Sequence, residues 1–194
     1  MAQVSVKRLH QIILIASTLL GSWLGMQAVH ESGHVTGARL TGGRVARVVL
    51  HPLTISRTDL ADNPHPLFVV WSGPILGCIV PLVIWGAVAA ARLSWAFVLR
   101  FFAGFCLIAN GLYIGLGSFS RVGDCGEMLS HGSQAWQLWL FGLLTIPAGM
   151  WLWYGQGKHF GLGDAKGAVN PRIAYGCLVA FAALASIGFI IGGE

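Results

Sequence analysis

Two histidines and a glutamate form the segment His30-Glu31-Ser32-Gly33-His34, which has the HExxH pattern. On an α-helix, residues four apart lie about one turn apart on the same face, so both imidazoles can face one metal ion. Imidazole is a common zinc ligand, and a glutamate one residue along can act on water at the metal without ligating it. The motif predicts a zinc site with His30 and His34 as ligands and Glu31 as the catalytic base.

The position of the motif in the sequence favours a metal site over a chance occurrence of the HExxH pattern. HExxH patterns also arise by chance, and the alternative here is a solvated helix end just outside a bilayer. The motif ends an apolar stretch that begins near Gln11 and is long enough to span a membrane. Ionisable residues beside such a helix are costly to keep near lipid, where they usually mark a site.

The composition is that of a membrane protein. Of 194 residues, 55% are hydrophobic and only 10% are charged, whereas about a quarter of a soluble domain is charged. Five apolar segments approach or exceed the roughly 20 residues that cross a hydrocarbon core. They run at about 11–40, 66–91, 95–119, 135–154 and 173–191. We therefore predict an all-α polytopic membrane protein with about five transmembrane helices in a lipid bilayer.

Other classes of protein are disfavoured. The Lys and Arg residues are scattered singly among segment ends and loops, which predicts membrane flanks and no nucleic-acid partner. Lys7 and Arg8 before an apolar run imitate a signal peptide, but cleavage would leave His30 at a frayed terminus. The four cysteines form no CxxC pair and predict neither a disulfide framework nor a thiolate zinc site.

The segments around the motif predict how its helix is packed and connected. Glycines at four-residue spacing in the first helix let another helix approach closely. Alternating β-branched residues predict a short β-hairpin or edge strand at about 43–58, whose exposed edge could accept a peptide strand; a twisted linker is the alternative. Pro74 and Pro81 predict a kinked or locally unwound second helix. The glycines are Gly21, Gly25, Gly33 and Gly37.

A catalytic zinc typically has three protein ligands and one open position, so a third ligand is expected. Two further crossings return the end of the third helix to the side where the first helix ends, and Asp124 and Glu127 lie there. Asp59 and Asp62 lie there too, in a polar loop that accounts for their charge, whereas Asp164 falls on the opposite side. We favour Asp124, which follows a glycine nearer the helix end, and keep Glu127 as the alternative. The candidates are Asp59, Asp62, Asp124, Glu127, His131 and Asp164.

These features resemble the site-2 protease family of intramembrane zinc metalloproteases. The resemblance covers roughly residues 15–130 and rests on His30, Glu31 and His34 of the first helix and Asp124 after the third. It implies one zinc ion per chain, held by the two histidines and the aspartate. It also implies regulatory hydrolysis of a peptide bond in or near a transmembrane segment of a membrane-protein or peptide substrate.

Two weaker matches extend the resemblance to substrate binding. Ser72-Gly73-Pro74 resembles the small-Gly-Pro element of the family's middle helix, and Asn110 resembles an Asn that precedes the ligand Asp. By resemblance, Gly73, Pro74 and Asn110 are expected to bind substrate. The stretch from Asn110 to Asp124 departs from the family, because it is longer, lacks proline and ends Gly-Asp-Cys-Gly where the family has Leu-Asp-Gly.

The same resemblance predicts the domain organisation and orientation. We expect a three-helix catalytic core at 1–130 that includes the β segment, followed by two additional transmembrane helices at 131–194, with no inserted PDZ-like domain. Lys and Arg are slightly more numerous on the N-terminal side, which favours a cytoplasmic N-terminus. The family implies instead that the zinc faces the cytoplasm across the cell membrane, and we adopt that orientation.

Two other functions fit part of this pattern. A non-proteolytic metal-binding scaffold or transporter could keep the fold, but it has no evident need for Glu31. A di-iron hydroxylase or desaturase needs several more clustered ligands, whereas the remaining histidines are dispersed along the chain.

Overall fold

The chain folds into long helices with one β-hairpin. A computed structural model describes residues 2–191, with side chains from residue 6 onward. The helices are α1 (Ala2–Leu40), α2 (Pro66–Ala90), α3 (Ala96–Ser120), α4 (Asp124–Ser130), α5 (Ala135–Trp153) and α6 (Pro171–Ile191), and the strands are β1 (Arg44–Val49) and β2 (Arg57–Asp62). Two short 3-10 helices, Gly157–Phe160 and Gly163–Ala165, lie between α5 and α6.

Five of these helices are long and apolar enough to cross a membrane, which confirms the predicted multi-pass fold. They are α1 from Val6 onward, α2, α3, α5 and α6. Consecutive crossings put the end of α1, the hairpin and α4 on one side of the bundle, called the hairpin side below. The start of α1 and both 3-10 helices lie on the opposite, N-terminal side.

Glycines set both the end of α1 and its packing. Gly42, just past the helix, has φ +80°, a left-handed conformation that favours glycine. Within the helix, Gly33 and Gly37 face α2, and a side chain at Gly33 would come within 2.5 Å of the Ser72 carbonyl oxygen. The predicted close approach of a second helix is therefore confirmed at the turn that carries the HExxH motif.

The second span stays helical through two prolines. It begins at Pro66, whose fixed φ suits a first helical turn, and continues to Ala90 without interruption. The local unwinding considered from the sequence therefore does not occur. Pro74 and Pro81 are both fully buried, so neighbouring groups pack on their rings, and membrane helices tolerate proline when the surroundings satisfy the freed carbonyls.

The predicted hairpin is present but extends further along the chain. Strands β1 and β2 pair antiparallel, with Val48 opposite Thr58. Because β2 ends at Asp62 and not near residue 58, the prediction that Asp59 and Asp62 lie in a polar loop is wrong. Aspartate is depleted in strands, so the residue pattern carries little signal for this part of the hairpin.

The last two spans pack on the outside of the predicted core. Helix α5 contacts α3 and α6 contacts α1. Glycines allow the first of these contacts, since Gly115 of α3 lies against Gly142 of α5. The outer ends of the two predicted regions, residue 1 and residues 192–194, lie outside the described residues.

An apolar cluster packs α4 against α2, α3 and α5. Its buried residues are Val70, Ile114, Cys125, Met128 and Leu138.

Candidate metal centre

Three side chains with metal-binding atoms meet between α1 and the start of α4. His30 Nε2 lies 2.8 Å from Asp124 Oδ2, and His34 Nε2 lies 3.3 Å from the same oxygen. The two Nε2 atoms are 3.1 Å apart. Both histidines are buried and Asp124 is partly buried. The chain thus brings His30, His34 and Asp124 into one group that could hold a metal ion.

Asn110 sets the proton position on His30. The Asn110 side chain is fully buried in α3, and its Nδ2 donates to the Cys106 carbonyl at 2.8 Å, which orients its Oδ1 toward α1. This Oδ1 lies 2.6 Å from His30 Nδ1. An amide oxygen can only accept, so Nδ1 must carry the proton. The lone pair of His30 Nε2 then points toward Asp124.

The same arrangement recurs at His34. Its Nδ1 lies 3.0 Å from the Val69 carbonyl oxygen of α2, which also can only accept, so its Nε2 presents a lone pair as well. Metal-bound histidines typically donate their other ring N–H to such a carbonyl or amide oxygen. Both imidazoles are therefore held in the tautomer and orientation that a metal ligand needs.

The converging atoms fit a tetrahedral metal ion. Two imidazole nitrogens and a carboxylate oxygen lie within 3.3 Å of one another, an arrangement that a proton or a metal cation between them stabilises. Ligand atoms about 2.0–2.1 Å from a tetrahedral zinc ion are about 3.3 Å from one another. The observed separations are close to that value, and the donor set of two imidazoles and one carboxylate suits zinc.

The turn between α3 and α4 positions Asp124. Gly123 has φ +60°, and a side chain there would collide with the Tyr113 hydroxyl, so both its backbone and its surroundings require glycine. The Tyr113 hydroxyl oxygen accepts a hydrogen bond from the Asp124 backbone N–H at 3.1 Å. The tyrosine ring also packs edge-on against His30, with the ring centroids 5.9 Å apart. One side chain thus contacts both an imidazole ligand and the backbone of the carboxylate ligand.

Asp124 is ionised in this setting, whereas the neighbouring thiol is not. Burial by itself would raise the pKa of the Asp124 carboxyl, but His30 and His34 beside it outweigh burial and hold its pKa well below the ordinary value. Burial raises the pKa of the Cys125 thiol to about 11. That thiol donates to the Tyr113 carbonyl at 3.3 Å, so Cys125 supports the turn and is not a thiolate ligand.

Glu31 lies beside the ligands and is held by the hairpin. Its side chain is buried, and its Oε2 accepts a hydrogen bond from the Thr58 hydroxyl of β2 at 2.7 Å. Because the contact uses Oε2, the second carboxylate oxygen remains for proton transfer. The hairpin therefore orients the carboxylate that the motif predicts as the base.

The residues predicted to bind substrate lie inside the bundle. Pro74 is fully buried, and Gly73 is buried against the His34 imidazole, which a side chain at 73 would strike. Asn110 is fully buried, with its oxygen at His30 and its nitrogen at Cys106. Asn110 and Gly73 thus contact the two histidines, and the expected role of these three residues in substrate binding stays a prediction.

Replacing Gly73 by alanine is expected to displace His34 and to lower the content of bound metal. Overpacking of this kind typically costs about 1–3 kcal/mol of stability. Gly86, in the same helix, has open space around it, so Gly86→Ala should keep its metal content and gain up to about 1 kcal/mol from helix propensity. Metal per chain and thermal unfolding of the two variants provide the comparison. Equal metal content in both variants would contradict the role given to Gly73.

The other candidate ligands lie apart from this group. Glu127 is exposed on the outer face of α4, and His131 is exposed at its end. Asp59 and Asp62 are in β2, where Asp59 pairs with Arg57 at 3.3 Å. Asp164 is exposed on the N-terminal side.

Two residues in the site were missed from the sequence. Thr58 carries no local signal, because its contact with Glu31 depends on how the hairpin folds back over α1. Tyr113 follows Asn110 by three residues on α3, a spacing that places both on one helix face, so helical periodicity could have indicated it.

Comparison with known proteins gives no match to this chain. No protein-family model matches the chain, and no curated protein or solved structure matches it.

Proposed function

We propose that this protein is an intramembrane zinc metalloprotease of the site-2 protease type. The observation that carries the proposal is the convergence of His30 Nε2, His34 Nε2 and Asp124 Oδ2 beside a buried glutamate at one end of a membrane-spanning helix. Zinc bound there would supply Lewis acidity for a peptide carbonyl and for water.

The chain's own residues supply the proton chemistry. In the proposal, Glu31 takes a proton from the attacking water at its free carboxylate oxygen and later passes it to the leaving amine. Thr58 keeps the carboxylate aimed through its 2.7 Å hydrogen bond to Oε2. Pure metal binding would need neither of these residues, and their presence favours hydrolysis over a scaffold or transporter.

A transmembrane substrate could bind beside Glu31, at the hairpin and a nearby apolar cavity. A helical peptide bond is hydrogen-bonded and shielded, so a transmembrane substrate must unwind before it is cut. An unwound segment could pair with an edge of the hairpin by strand addition, next to Thr58. On the same side, a cavity of about 540 Å³ lined by Pro64–Phe68 and Trp71 offers an apolar site for a substrate side chain.

Purified protein in lipid vesicles with a single-pass reporter tests the proposal. We expect one zinc per chain, a cleaved reporter, loss of cleavage on chelation and recovery when zinc is returned. An intact reporter with zinc still bound would instead favour a metal-binding scaffold or transporter. Two metals per chain by elemental analysis would favour a di-iron enzyme.

A further inference from the structure

The N-terminal side of the bundle has a strong excess of positive charge. Among the described residues, the only carboxylate on this side is that of Asp164. The ion pairs among those residues all lie on the hairpin side, so none involves a cation of the N-terminal side. The hairpin side, in contrast, has about as many carboxylates as cations. The cations of the N-terminal side are Lys7, Arg8, Arg92, Arg100, Lys158, Lys166 and Arg172.

A cavity of about 550 Å³ opens within this cationic surface, a size typical of small-molecule sites. It lies between the first turns of α1 and the segment that leads into α6. Lys7 and His10 bring polar groups to its wall, and the rest of the lining is apolar or backbone with no carboxylate. Arg8 lies at its edge, because a side chain at Gly167 would come within 3.5 Å of the Arg8 Nε. The remaining lining residues are Val6, Gly167, Ala168, Val169 and Pro171.

The position of the cavity indicates what could fill it. It lies where α1 and α6 enter the bilayer, so it is level with lipid headgroups. The His10 ring packs edge-on against Tyr175, with centroids 5.6 Å apart, and joins the two helices beside the cavity. On α6, the exposed apolar side chain of Val179 lies one turn beyond Tyr175, toward the membrane centre. A ligand in the cavity meets cations at one end and apolar side chains of α6 at the other.

We propose that this cavity binds the headgroup of an anionic phospholipid. Lys7 would contact the phosphate together with N–H groups of Arg8 other than the Nη1 group that donates to Gln11 at 2.8 Å. The apolar walls would cover the glycerol region, and the acyl chains would lie along α6. Basic pockets between transmembrane helices are known to hold such headgroups. A free phosphate ion would use the cations but leave the apolar walls without a partner. The site is independent of the metal centre, which lies on the opposite side of the bundle.

Native mass spectrometry of the purified full chain tests the site. With phosphatidylglycerol and phosphatidylcholine of identical acyl chains, we expect the anionic lipid to bind roughly tenfold or more tightly. The double variant Lys7→Gln with Arg8→Gln should lose most of this preference. The matched control, Arg39→Gln with Arg44→Gln, removes the same charge from exposed positions on the hairpin side and should retain it.

Thermal unfolding of the unaltered protein gives a test that depends on no variant. Phosphatidylglycerol should raise the melting temperature more than phosphatidylcholine does, because a ligand of the folded state stabilises it by mass action. Equal binding of both lipids, or equal loss in both double variants, would overturn the proposal. An equal rise with inorganic phosphate would overturn it too, since the occupant would then be a free anion.

Discussion

Replacement of Glu31 by glutamine is expected to lower the rate of reporter cleavage by orders of magnitude while zinc stays bound. Glutamine has the size of glutamate and keeps an oxygen that can accept the Thr58 hydrogen bond of 2.7 Å, so the local structure should persist. It cannot take a proton. Positioned general acid–base groups typically contribute 10²–10⁴-fold, so kcat should fall by roughly that factor with little change in KM.

The experiment needs both zinc content and cleavage rate. Zinc per chain should remain unchanged, because Glu31 lies outside the group of candidate ligands. Thr36→Ala provides a control on the same helix, since that hydroxyl is exposed and donates to the Ser32 carbonyl of its own helix. It should cleave the reporter at the unaltered rate. If Glu31→Gln cleaves as fast as the control, Glu31 is not the base.

The parts of the site that could be predicted are those determined by local residue spacing or by the number of membrane crossings between two residues. An uninterrupted apolar run long enough to span a bilayer determines a helix almost by itself, because lipid offers the backbone no other partners. The spacing of His30 and His34 puts both on one helix face. Counting crossings was enough to bring Asp124, from far along the chain, to the same end of the bundle.

The parts that could not be predicted depend on contacts between elements. Whether Asp124 or Glu127 turns inward depends on the left-handed turn at Gly123 and on its fit against Tyr113, which no local pattern specifies. The register of the hairpin brings Thr58 to Glu31, and strand register follows from pairing and not from composition. The contacts of the buried Asn110 amide with His30 and Cys106 likewise depend on how α3 packs against α1.

Replacement of Asp124 by asparagine is expected to remove the zinc and all cleavage. Asparagine preserves the shape of the side chain but removes the negative charge that two neutral imidazoles cannot replace. Loss of a supporting residue around a metal typically costs 10–100-fold in affinity, and loss of a direct ligand should cost more. Zinc content after dialysis against a weak chelator measures the effect. Glu127→Gln removes the same charge three residues away on an exposed position and should keep its zinc.

The same variant should lose more stability with zinc than without it. In metal-free protein, the two imidazoles within 3.3 Å stabilise the Asp124 carboxylate, and the neutral asparagine loses this interaction, so Asp124→Asn should unfold at a slightly lower temperature. With zinc at about 1,000 times its dissociation constant, the unaltered protein gains about 4 kcal/mol and the variant gains little, so the difference between them widens. A difference that is no larger with zinc than with chelator would mean that Asp124 does not bind the metal, and zinc loss in Glu127→Gln would identify Glu127 as the third ligand.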